Sequence, residues 1–319
     1  STPPVQARLS GHLEGLPFYP PPWSGPNHEE ACPLTTIVLH GATLIDGTGG
    51  DPRPNTSVVA EDGVITAVGA SDSISIPRAA EVIELDGMTL LPGLSDAHVH
   101  FGLLGVNHRH TAGPDDNLTT YVLDVVENME LALQEGFTTV RDAAGLDPAF
   151  AFAVEQGLIN GPRVLPAGSP LSQTGGHGDQ RGRYESAVPE SVPGILAAPE
   201  ICDGVDAVRA AARRQLRLGA TQIKVMGSGG VMSQTDKLES VQFSVEEIAA
   251  AVHEAESVGT YVMAHCHTPA SIAACLEAGV RSIEHGSILD EPTAAQMAER
   301  GAYMVPTLVI VEVLARDAE

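Results

Sequence analysis

Asp96-Ala97-His98-Val99-His100 places two imidazoles two residues apart in an apolar run. On an extended strand, residues i and i+2 point to the same side. His98 and His100 could therefore hold one divalent metal. Two more histidines end later apolar runs, His265 in VMAHCH and His285 in SIEHGS. Lys224 sits in the middle of another, QIKVM. A bare ammonium there is costly unless it is paired or neutralised. Three states would satisfy it. One is an ion pair with Asp142 or Asp96. The second is a lysine serving as base or Schiff-base former. The third is carboxylation by carbon dioxide, which turns the cation into an anionic oxygen ligand able to bridge two metals. Histidines at the ends of several strands, with a lysine on another, point to a metal site.

The elements that must position these residues start near residue 94. Helix-like stretches alternate with short apolar runs, and a glycine closes each helix before the next run: Gly136, Gly219, Gly259, Gly279 and Gly301. Glycine takes the left-handed cap conformation without a Cβ penalty. Ser244 with Glu247 forms a capping box, and Thr268-Pro269 starts a helix. The runs at 94–101 and 162–168 complete seven strands. Their solid apolarity predicts parallel strands buried on both faces. Polar residues fall at the C-terminal end of nearly every strand, including Asp142, which suits a closed barrel. An open sheet would gather its site at one switch point. Gly227–Gly230 follows no phosphate-loop fingerprint. The expected fold is α/β, a (β/α)8 TIM barrel with strands one to seven present and strand eight missing.

Residues 35–93 are β-branched runs broken by Asp-Gly and Gly-Gly pairs, expected to form a small antiparallel sheet with a hairpin at Asp62-Gly63. Residues 1–34 hold eight prolines and read as an extension. Its Phe18, Tyr19 and Trp23 are expected to pack on a neighbouring subunit. The domains are thus 1–34, 35–93 and 94–319. The chain has 319 residues, of which 43% are hydrophobic, enough for a sizeable core. Its net charge of −24 argues against nucleic acid and against anionic membrane surfaces. No apolar run is long enough for a membrane span. Four cysteines in this length are no disulfide framework. With no signal pattern at the start, a cytoplasmic location is expected.

The run Leu91 to His100, the strand-end Lys224, and His265 and His285 resemble the amidohydrolase superfamily, from about residue 36 to the end. LSQTGGHGD (171–179) and IKVMGSGGVMS (223–233) are similar to its prolidase-like and acyl-amino-acid hydrolase branch. The resemblance implies a small N-terminal β-sandwich before the barrel. It implies two divalent ions, zinc first, with manganese, cobalt or iron as alternatives. His98 and His100 would hold the more buried one, His265 and His285 the other, and carboxylated Lys224 would bridge them with a hydroxide. That hydroxide would attack an amide-type C–N bond. The remaining ligand, an aspartate at the end of strand eight, would shuttle the proton. His177 and His267 are substrate-side candidates. His267 shares the face of His265, and His177 lies in a glycine-rich loop. His108 and His110 read as rim residues at best. Cys266 points away from the site.

A mononuclear deaminase or cyclic-amidine hydrolase is the first competing reading, and Lys224 discriminates against it. A non-catalytic scaffold is the second. The expected substrate is a small molecule such as a dipeptide, an N-acyl amino acid, or a related amide or carbamate. A homo-oligomer is expected. The working protein is expected to carry residues past 319, or a second chain, that complete the barrel. Intact and native mass spectrometry checks this. A folded, monomeric 319-residue product with nothing bound would refute it.

Overall fold

The computed structural model describes residues 36–103, 117–188, 190–231 and 236–317. The proline-rich arm and His108 and His110 lie outside the described residues. The chain divides at Pro92/Gly93 into two compact units.

The first unit is one five-stranded sheet: β1 (Thr36–Leu44), β2 (Arg53–Glu61), β3 (Val64–Ala70), β4 (Glu81–Glu84) and β5 (Thr89–Leu90). The order is β3-β2-β1-β4, with β5 also on β1. The hairpin forms as expected. Asp62 and Gly63 both have positive φ (51° and 76°), the condition for a tight primed turn between twisted strands. The sheet is not purely antiparallel, however. β4 and β5 run parallel to β1. Residues 71–80 carry the chain from β3 across to the far side of β1, so β4 arrives in the direction of β1.

In the second unit short parallel strands alternate with helices. β6 (Leu94–Val99), β7 (Phe137–Asp142) and β8 (Arg163–Pro166) form one sheet, with α1 (Leu118–Gln134) and α2 (Ala149–Glu155) between them. A second sheet has the order β10-β9-β11-β12-β13-β14. Its strands are β9 (Leu171–Ser172), β10 (Glu200–Ile201), β11 (Ile223–Met226), β12 (Val262–Cys266), β13 (Ser282–His285) and β14 (Tyr303–Val305). The helices are α3 (Val205–Leu218), α4 (Val245–Ser257), α5 (Pro269–Ala278), α6 (Glu291–Arg300) and α7 (Leu308–Asp317). Thr221 N donates to Pro166 O (2.8 Å), so β8 leads onto β11.

Local chemistry explains the element ends. Ser244 and Glu247 cap α4 reciprocally, and Thr268 caps α5 with Pro269 in its first turn. Gly219, Gly279 and Gly301 close α3, α5 and α6 in the left-handed conformation. Ile223, Val225, Val262, Ala264 and Ile283 from the strands pack against Ala211, Ala251 and Ile272 from the helices. A second core joins Val125 and Met129 of α1 to Val140 and Val164.

All of β12 is buried, as expected of an inner parallel strand. β6 and β14 are not. Each pairs on one side only among the described residues, and Leu94 and Tyr303 remain exposed. The turns above the strands are tightly fitted. A Cβ on Gly102 would lie 2.1 Å from Gly145 O and 2.6 Å from Leu146 N. Both are backbone atoms that cannot swing aside. Gly102→Ala is therefore expected to destabilise the fold by about 1–3 kcal/mol, the usual cost of overpacking, read by urea unfolding.

Candidate metal centre

Six histidines converge at the C-terminal ends of β6, β12 and β13. His98 and His100 ring centroids are 4.9 Å apart, His98 and His285 4.9 Å, and His265 and His285 4.6 Å. His177, on the loop after β9, stacks on His265 at 4.2 Å. His267 contacts His265 edge-on at 4.6 Å and stacks on His285 at 5.1 Å. Lys224 is 1% exposed on β11. Its charge bears on His98, His265, His267 and His285. All seven residues singled out from sequence therefore share one neighbourhood.

The hydrogen bonds fix how the rings face. His100 Nδ1 donates to Ala144 O (2.9 Å), because a carbonyl only accepts. His98 Nδ1 donates to the Glu284 carboxylate (2.6 Å). In the neutral imidazole the other nitrogen is then an acceptor. The two Nε2 atoms nevertheless stand 3.1 Å apart. Two lone pairs so close call for a cation between them. His265 Nε2 donates to Gly229 O (3.2 Å), which leaves Nδ1 as its lone-pair nitrogen. His285 adopts a left-handed φ of 73°, a strained conformation for a residue with a side chain, and its Nδ1 contacts Thr307 Oγ1 (2.7 Å).

Electrostatics keep four of these rings neutral. Burial lowers the pKa of His98, His265, His267 and His285, and Lys224 adds to each shift. Burial also lowers Lys224 to about 8, with Glu284 opposing. Among the described residues no hydrogen bond or ion pair reaches its Nζ. The ion pair considered with Asp142 does not form. Asp142 accepts instead from Phe101 N (2.8 Å) and Ala144 N (3.1 Å), and burial raises its pKa to about 7.

This donor set suits a metal in kind: neutral imidazoles, facing lone pairs, and a buried lysine to which no hydrogen bond runs among the described residues. Among the described residues no three His, Cys, Asp or Glu side chains already surround one point. The fit thus rests on the paired Nε2 atoms and on the lysine. Cys266 stands apart, its Sγ 3.4 Å from Cys275 Sγ in the core. The glycines of Gly227–Gly230 serve packing. A Cβ on Gly230 would lie 2.2 Å from the His177 ring. A cavity of about 480 Å³ beside His177 is lined by Gln173, Asp236, Glu239 and Gln242, among others. A larger cleft of about 700 Å³ lies at Arg209, Arg213, His253 and Glu254, on the outer helices. It includes none of the clustered histidines, and its arginines are already paired with Glu254.

A model of the amidohydrolase family matches residues 89–319. The chain belongs to the amidohydrolase family. The ochratoxinase of Aspergillus niger is 36% identical over 305 residues, covering 88% of this chain and 61% of the relative. The chain thus spans about three fifths of the length of that curated relative. Among solved structures, an amidohydrolase is 43% identical with a TM-score of 0.82, over 89% of this chain and 69% of that one. A prolidase complexed with N-methylphosphonate-L-proline is 41% identical with a TM-score of 0.79, over 86% and 67%.

Sequence reasoning missed Glu284 and Arg141 of this amidohydrolase chain. Glu284 is fully buried and accepts from His98, Arg141 Nη2 (2.8 Å) and Ser282 Oγ (2.6 Å). Arg141 also donates to Ala97 O (2.7 Å) and Tyr261 Oη (3.1 Å). One signal was available: a glutamate directly before His285 in a short strand that follows an apolar helix. Glu284→Gln leaves the Arg141 charge buried without its counter-ion. Its expected cost is about 3–5 kcal/mol, measured by chemical denaturation.

Proposed function

We propose that this chain is the larger part of a metal-dependent hydrolase that cleaves an amide-type C–N bond in a small substrate. The reading rests above all on the two Nε2 atoms facing each other at 3.1 Å beside a buried lysine that has no hydrogen-bond partner among the described residues. The names of the relatives support the bond type: a prolidase and a Xaa-Pro dipeptidase among solved structures, and an ochratoxinase.

His98 and His100 would hold one divalent ion and His265 and His285 a second, with Lys224, as its carbon dioxide adduct, contributing oxygens to both. Such ions lower the pKa of water and polarise a carbonyl. Zinc is the first candidate for this mixed nitrogen and oxygen set, ahead of manganese, cobalt or iron.

The chain's own residues supply the rest. Glu284 and Ala144 O orient the β6 imidazoles before substrate arrives, which removes a reorganisation cost. His177 and His267 both contact the His265 ring, and both would face the substrate, His267 toward its carboxylate. The proton acceptor is expected from an aspartate at the end of strand eight, and that strand would close the parallel strands into a (β/α)8 barrel. The small sheet before it takes the place of the β-sandwich.

The lysine favours this reading over the mononuclear deaminase. The test combines metal content, peptide mass and turnover. The full-length protein is expected to hold two divalent ions per chain. The Lys224 peptide, kept under non-acidic conditions, should gain the mass of carbon dioxide. Dipeptides and N-acyl amino acids should be hydrolysed, and a chelator should stop this. Lys224→Met is expected to lose at least about a hundredfold in kcat/KM, as two ions lose their shared ligand. Release of ammonia from a purine or cyclic amidine, with one ion bound, would overturn the proposal in favour of the deaminase.

A further inference from the structure

Asp142 stands at the end of β7, is fully buried, and has been given no part in the chemistry above. Its two carboxylate oxygens accept from backbone amides of Phe101 and Ala144, and Leu146 N also bears on it. Oδ2 accepts from Phe101 N at 2.8 Å, and Oδ1 accepts from Ala144 N at 3.1 Å. Each amide sits at a particular place. Phe101 directly follows His100. Ala144 carries the carbonyl that accepts from His100 Nδ1 at 2.9 Å. One side chain thus fixes the backbone on the C-terminal side of His100 and the acceptor that decides which of its ring nitrogens carries the proton.

We infer that Asp142 is a positioning residue for His100: it clamps both the main chain beside the ring and the carbonyl that sets its tautomer, and so presents Nε2 as a ligand. This deepens the metal-site reading and rests on it. In its ionised form the side chain only accepts, so both amides find a partner whichever oxygen they meet. Charge-assisted bonds of this kind are about twice as strong as neutral ones. The corner is also crowded, with Gly102 against Gly145 O, so neither segment has room to take up another course. His98 is held differently, by the Glu284 carboxylate on β13. The two β6 histidines therefore depend on separate supports, and removing one should leave the other in place.

The test is Asp142→Asn in the full-length, metal-loaded protein. An asparagine keeps one acceptor and turns a donor toward the second amide. Ion release to a competing chelator is followed for each of the two ions, with cobalt substitution to read the coordination spectrum. The expected result is a loss of roughly 10–100-fold in affinity for the ion held by His98 and His100, the range for outer-sphere supports. Affinity for the other ion should stay within about threefold, and the cobalt spectrum should change. Tyr121→Phe is the control, because Tyr121 Oη donates to Gly102 O (3.1 Å) at the same corner without touching either clamp. It should lower stability and leave both affinities in place. If Asp142→Asn does not fold, Asp142→Ser offers a hydroxyl oxygen whose proton can turn away from the amides, and the same split is expected.

Unchanged affinity for both ions in a folded Asp142 variant overturns the clamp. So does an equal loss in Tyr121→Phe, which would mean that only the stability of the corner matters. A wild-type protein that binds no divalent ion overturns the metal-site reading itself, and the clamp with it.

Discussion

The site depends on keeping several adjacent imidazoles neutral in a buried space. Water is scarce there, so every ring N–H needs a fixed acceptor and every lone pair has to face something positive. The acceptors come from far along the chain. His98 uses Glu284, His100 uses Ala144 O, and His265 uses Gly229 O. Each bond commits one nitrogen as donor and leaves the other as a lone-pair acceptor. Once those bonds are set, the strand ends have little freedom left.

The same demand accounts for the one strongly ionic element of the interior. Glu284 has no exposure, yet it is fully supplied with donors by Arg141, Ser282 and His98. Arg141 in turn ties β7 to Ala97 on β6 and to Tyr261 beside β12. A buried pair of this kind contributes little net stability against an apolar pair, but removing one partner is costly. Its value here is geometric. It holds the ends of β6, β7 and β13 in register around the histidine cluster.

Much of this was legible in the residues. The His-x-His pair lies on a strand, so the alternation of side chains alone puts both rings on one side. The glycines after each helix and the capping pairs at Ser244 and Thr268 act within a few residues, and the helices begin and end where they predict. The strand-end histidines His265, His267 and His285 and the loop residue His177 lie together in one group of stacked and edge-on rings. The direction of β4 was less accessible, because it follows from how residues 71–80 cross the sheet and not from any alternation within the strand.

Tertiary structure decided what the sequence could only leave open. Lys224 could have been paired with Asp142. The fold instead turns that carboxylate onto the amides of Phe101 and Ala144 and leaves the lysine head without a hydrogen-bond partner among the described residues. Glu284 and Arg141 could not be paired from sequence, since they lie on different strands and meet only when β7 and β13 are brought together. Spacing along a strand or helix is local and shows in the residues themselves. Which buried donor meets which buried acceptor is settled by long-range packing, where the cost of leaving either one unsatisfied selects the arrangement.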